Sequence, residues 1–188
     1  MTASADALRG LSTTGLLEHF LALEAPDIAE MHGEYAARLL AQPNWLATLA
    51  GQAVLANPWR AWLCKAFRPV DATTGRGYNT FLEQGRIVQR YPMLTRLAPS
   101  RFDGRPAYQL VYRHFHSACG SVHMVDEVRR LDTGLYLGIG TWGFTRAQRQ
   151  IPYPFLLAGP GAPYRGDIGR ERRGFHVGPR ETPAFFTP

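Results

Sequence analysis

Between Tyr108 and Phe144 the chain alternates in character residue by residue through three runs, broken at Cys119-Gly120 and at Asp132-Thr133-Gly134. A two-residue period is that of a strand with one face buried, and short glycine-bearing loops join such strands antiparallel. The middle of this chain is therefore constrained to a meander.

The same texture extends upstream. Apolar and β-branched runs at Trp59 to Phe67, Tyr78 to Leu82, Arg86 to Tyr91 and Leu94 to Leu97 read as strands, with turns at Glu83-Gln84-Gly85 and Phe102-Asp103-Gly104. Ala107 to Ser117, Ser121 to Leu131 and Leu135 to Phe144 complete the set. Sequential strands without helical crossovers pair antiparallel and curl toward a barrel. Before Pro58 the periodicity is that of helices. Leu16, Leu17, Phe20 and Leu21 make one apolar face. Asp27 and Glu30 resemble a capping box ahead of a stripe of Ile28, Met31, His32, Tyr35 and Leu39, which reads His32 as a core histidine. Asn44 caps a third helix through Trp45, Leu46, Leu49 and Ala53. The predicted class is α+β: N-terminal helices, then a curved antiparallel β-meander closing into a barrel, as one domain over 1–145. Residues 146–188 are rich in proline and glycine and predict an irregular C-terminal extension. Its apolar stretches predict packing on the barrel or on a second subunit, as in a homodimer.

Composition narrows the function classes. The 188 residues suit one core, and no run reaches the ~18 apolar residues that span a bilayer, which predicts a cytoplasmic protein without a membrane partner. The +6 charge is scattered over arginines, apart from Arg170, Arg172 and Arg173, and lacks the basic stripe of a nucleic-acid protein. Lys65 is the single lysine. Cys64 and Cys119 form no disulfide framework or CxxC, and Cys119 has no helix N-terminus to activate it.

Candidate chemistry centres on the first turn of the meander. With Cys119-Gly120 as a two-residue hairpin loop, His116 faces His123, His114 faces Val125 and Tyr112 faces Glu127, so Tyr108, Tyr112, His114, His116, His123, Glu127 and Arg129 share one sheet face. Opposed Cβ atoms lie about 5 Å apart. His114, His116, His123, Glu127 and Tyr112 are then the catalytic candidates, with a histidine titrating near neutrality and a glutamate orienting it. Tyr108, Arg129 and Trp142 are candidate ligand contacts. The same face admits a divalent metal, although its spacing matches no defined ligand motif, and a structural polar network in which Arg113, Arg129 and Arg130 pair Asp126 and Glu127. Gly138-Ile139-Gly140 lies within a strand, where glycine permits tight curvature or the close approach of an aromatic group or a ligand.

An N-terminal segment holding Gly33-Glu34-Tyr35, with Ala37 at the second glycine position, followed by a meander ending in GIGTWGF, resembles the bacterial GXWXG-type, lipocalin-like proteins of unknown function. The resemblance runs from about Gly15 to Phe144 and implies a barrel with an interior cavity. A cone-shaped α+β barrel of small isomerases and cyclases is the other architecture considered. The first functional expectation is a cofactor-independent isomerase, cyclase or lyase performing acid-base chemistry on an apolar or aromatic metabolite. A non-catalytic carrier of a hydrophobic ligand or haem is the second, and a structural partner protein the third.

Overall fold

The computed structural model describes residues 8, 10–46, 48–49, 56–57 and 59–183, with the backbone alone at 56–57. Nine strands form one sheet: β1 (Gly33–Leu39), β2 (Ala56–Asn57), β3 (Arg60–Pro69), β4 (Thr74–Glu83), β5 (Arg86–Pro99), β6 (Pro106–Val111), β7 (Val125–Asp132), β8 (Leu135–Thr141) and β9 (Tyr153–Ala162). Their order is β1-β9-β8-β7-β6-β5-β4-β3-β2, and β1 also pairs with β3. Eight strands thus close into an antiparallel barrel, with β2 attached at the outer end of β3. No helix among the described residues is long and apolar enough to cross a membrane.

Two packed regions follow from strand alternation. Inside the barrel lie Tyr35, Phe67, Met93, Tyr108, Leu110, Val128, Tyr136 and Phe155. Outside, Leu135, Leu137, Ile139 and Leu156 are covered by α1 (Thr13–Ala22) through Leu16 and Phe20, both fully buried. Each such side chain contributes about 1.5–3 kcal/mol. Ser12 caps α1 by accepting from the Gly15 N–H.

The second expected N-terminal helix is not what the chain builds. The Asp27–Leu39 stripe is a turn followed by β1. At Gly33 the backbone has φ +116, and a Cβ there would meet Pro160 at 2.7 Å, so the helix expectation fails on geometry. Ile28, Met31 and Tyr35 still reach the core, because their spacing serves a turn plus strand as well as a helix. His32, expected in the core, is exposed. Near the third expected helix, residues 45–46 and 48–49 are helical, with Thr48 bonded to the Asn44 carbonyl at 3.0 Å, whereas Ala53 lies outside the described residues.

The meander and its turns follow expectation, with two corrections. Arg86 to Tyr91 and Leu94 to Leu97 are one strand, bulged where Tyr91 adopts φ +54. Cys119-Gly120 is no hairpin loop. Tyr112–His114 is a 3₁₀ turn, and Ala118–Ser121 is a short helix, α2, capped by Ser117. The irregular tail is corrected too: 153–162 is β9, a barrel strand hydrogen-bonded to both β1 and β8.

The glycines of β8 act by absence. Gly138 pairs with Phe155, and a Cβ would fall within that ring, so the aromatic side chain occupies the space a side chain at 138 would take. We expect Gly138→Ala to cost about 2 kcal/mol in denaturant unfolding. In a Phe155→Leu background the same substitution should cost less, because the two positions share one volume.

Candidate functional site

Register decides which polar groups meet. In β6–β7, Val111 pairs with Val125, Leu110 with Asp126 and Gln109 with Glu127, displaced by three from the hairpin expectation of Tyr112 opposite Glu127. An odd displacement exchanges faces. Asp126 therefore points into the barrel with Tyr112, and Glu127 points out.

Inside, Asp126 meets Lys65. The Lys65 ammonium donates to Asp126 Oδ2 at 2.8 Å, to the Tyr112 hydroxyl at 2.6 Å and to Asn79 Oδ1 at 3.1 Å. All three of its N–H groups are used, and the residue is 3% exposed. Tyr112 donates onward to Asp126 Oδ2 at 2.9 Å, and Trp62 Nε1 donates to Asn79 Oδ1 at 3.1 Å. The rings of Trp62, Tyr112 and Phe155 stand 5.0–5.3 Å from the ammonium. Gly140 leaves room for the carboxylate, since a Cβ there would come within 3.0 Å of Asp126 Oδ1. Burial first, then the charge of Asp126, holds the Tyr112 hydroxyl well above its usual range. Burial also pushes the Cys119 thiol up to about 12, against the opposing field of Lys65. Cys119 is accordingly a neutral thiol beside the network.

The lumen face continues past the closure of the barrel. Trp62 pairs with Phe81, which pairs with Val88; Arg60 pairs with Glu83, which pairs with Arg86. The outer rung and Val88 line an open cleft of about 560 Å³, bordered also by Trp59, Gln84, Arg90 and Tyr91. Arg60 lies over the Phe81 ring at 4.1 Å and donates to the Tyr91 hydroxyl at 2.7 Å. Glu83 accepts from Arg90 at 2.6 and 2.7 Å and lies 3.1 Å from Arg60. Arg86 makes no ion pair among the described residues. One carboxylate thus stands among three guanidiniums.

The expected histidine cluster is dispersed. His114 ends the 3₁₀ turn, 3.7 Å from Glu171 and beside Phe175, and His116 is exposed. His123 is buried beneath the C-terminal segment, with Nε2 3.3 Å from Arg180 and Nδ1 3.8 Å from Glu181. Glu127, outside the wall, accepts from Ser100 Oγ and, at 2.9 Å, from the Arg101 N–H. Its carboxyl is pushed up by burial, against those bonds. Arg129 is fully buried, bidentate to Asp103 at 2.8 Å, and donates to the last carbonyls of α1. Trp142 packs on Tyr153, and the Tyr108 hydroxyl donates to Thr95 inside the barrel at 2.8 Å. Of the expected residues, Tyr108 and Tyr112 alone share the lumen. Among the described residues no group of three or more His, Cys, Asp or Glu side chains is arranged to hold a metal ion. Sequence reasoning missed Lys65, Asp126 and Asn79. The available signal was a single lysine set in the aromatic strand Trp59 to Phe67.

No family model matches the chain, and no curated protein matches its sequence. The fold is similar to that in a crystal structure of a protein from Thermomonospora curvata, at 14% identity and a TM-score of 0.50, over 82% of this chain and 91% of that one. That likeness shows the fold alone. The resemblance to GXWXG-type proteins likewise holds at the level of a closed antiparallel barrel.

Breaking the lumen pair leaves a buried charge without its partner, so Lys65→Met should destabilise by about 3 kcal/mol. Lys65→Met/Asp126→Asn should recover most of that loss, as read by denaturant unfolding. His123 takes its proton less readily folded than unfolded, because burial and then Arg113 and Arg180 oppose the charge. The unfolded chain therefore binds the extra proton just below about pH 6.5, and stability falls as pH is lowered through that window. His114 and His116, shifted the same way, act in the same sense. His123→Asn should remove its own share and flatten the melting temperature between about pH 5 and 7.

Proposed function

We propose that this chain is a small-molecule-binding barrel that captures an apolar or aromatic acid at its open mouth, acting as a carrier. The observation that carries this reading is the mouth cleft itself. Its walls are the aromatic and aliphatic side chains of Trp59, Tyr91 and Val88, and Arg86 has no carboxylate partner among the described residues. A ligand's apolar body would lie along the rings while its acid group takes the guanidinium, the usual division of labour in such sites. The lumen network supports binding over turnover. Lys65 is saturated as a donor, and the Tyr112 proton is held far above neutrality, whereas an efficient general acid has a pKa near the working pH.

Acid-base catalysis is the second reading, favoured by one geometric fact: the Tyr112 hydroxyl lies between an ammonium and a carboxylate, 2.6 and 2.9 Å away. There, Tyr112 would pass its hydroxyl proton to the substrate, and the Lys65 ammonium would stabilise the tyrosinate left behind.

An anilinonaphthalene sulfonate dye, an aromatic anion, tests both. Wild-type protein should bind it saturably with quenching of tryptophan emission, and Arg86→Glu should weaken binding about tenfold without lowering the melting temperature. Undiminished binding by Arg86→Glu would remove the mouth from the account. Tyr112→Phe should leave dye affinity within about twofold if the barrel only carries. In a screen of aromatic acids, turnover that vanishes in Tyr112→Phe would establish the catalytic reading instead.

A further inference from the structure

A second charged surface lies on the outer wall, where the C-terminal segment runs along the connection between β6 and β7. The His116 N–H donates to the Arg170 carbonyl at 2.9 Å, the Arg172 N–H donates to the His114 carbonyl at 2.8 Å, and Phe115 and Glu171 form a β-bridge. Residues 170–172 are thus a short extended rung in which alternate side chains point opposite ways. Glu171 turns toward Arg76, at 3.2 Å, and toward His114. Arg170 and Arg172 turn the other way. With Arg113, His116, Arg173 and Phe175 they line a cleft of about 810 Å³.

The charge of this cleft is unbalanced. Arg113 donates to the Gly120 carbonyl and Arg172 to the Phe115 carbonyl, which fixes their guanidiniums without neutralising them. Arg170 and Arg173 make no ion pair among the described residues. The one lining carboxylate, Glu171, is already shared between Arg76 and His114. His116 titrates below its ordinary value through desolvation first, then through the fields of Arg172 and Arg170, which agrees with an electropositive surface. Four guanidiniums around one opening match the several oxygens and multiple charges of a phosphate chain far better than a lone carboxylate. Phe175 offers a ring face beside them.

We propose that this outer-wall cleft binds a phosphorylated small molecule with a planar ring, of the nucleoside diphosphate kind, with phosphates on Arg170, Arg172, Arg173 and Arg113 and the ring against Phe175. The site is independent of the barrel mouth and shares no lining residue with it.

Calorimetric titration of the full chain with adenosine diphosphate, inorganic pyrophosphate and adenosine is the test. Adenosine diphosphate should bind saturably, pyrophosphate more weakly, and adenosine negligibly. Arg170→Ala/Arg173→Ala should weaken adenosine diphosphate at least about tenfold at unchanged melting temperature, since neither side chain holds another element in place. Phe175→Ala should weaken adenosine diphosphate while leaving pyrophosphate as it was. Arg86→Glu, at the mouth, should leave both unchanged, which separates failure of this site from failure of the mouth. Absence of saturable binding by the wild type, full affinity in the double variant, or loss on Arg86→Glu instead would each overturn the assignment. Equal loss of both ligands in Phe175→Ala would overturn the placement of the ring.

Discussion

Everything in this protein depends on β1 having partners along both edges. An unpaired strand edge leaves backbone N–H and C=O groups unsatisfied, and closure of the sheet removes that cost. Here pairing of residues 33–36 with 64–67 on one side and of 36–39 with 155–158 on the other locks β1 between β3 and β9. Closure creates an inside. Once there is an inside, each strand position is committed to lumen or wall, and a single odd register shift would exchange the two populations.

Asp126 and Glu127 show how strict that commitment is. They are neighbours in sequence, both nearly fully buried, and separated by the thickness of the sheet. Asp126 is met in the lumen by the protein's single lysine, and Glu127 is met outside by Ser100 and Arg101. A further buried charge, Arg129, ties the end of α1 to the wall through Asp103 and the Phe20 and Leu21 carbonyls. Replacing a buried pair by apolar groups is often neutral for stability, so such pairs are poor candidates for the source of fold stability and good markers of positioning. The Lys65 network positions Tyr112, Asn79 and Trp62 inside the barrel.

The C-terminal segment does more than cover the wall. The Glu181 carbonyl accepts from Arg101 and Gln109, and Thr182 donates to Gln109, so 181–182 is stitched to the outer polar cluster. The same segment presents Arg170, Arg172 and Arg173 on an arginine-rich outer surface. Two electropositive openings result: one on β3, β4 and β5 beyond the closure of the barrel, the other built on the wall by a segment that comes after the last barrel strand.

By itself, the sequence determined the meander. Alternation over 106–111, 125–132 and 135–141, the glycine turns at Gly85, Gly104 and Gly134, the helix carrying Leu16 and Phe20, and the use of Gly138 to admit an aromatic ring are all local signals that survive into the structure. Tertiary structure alone decided three things. It made Gly33–Leu39 a strand, because two neighbouring edges outweigh a helical stripe that a turn satisfies equally well. It drew Tyr153–Ala162 into the barrel, because pairing between strands distant in sequence leaves little local signature in a proline-rich stretch. And it displaced the β6–β7 register by three through the Ser117-capped turn, which scattered His114, His116 and His123 and brought Lys65, Tyr112 and Asp126 together. Spacing along the chain encodes which face a side chain takes relative to its strand neighbours. Which face becomes the lumen is settled only when the sheet closes.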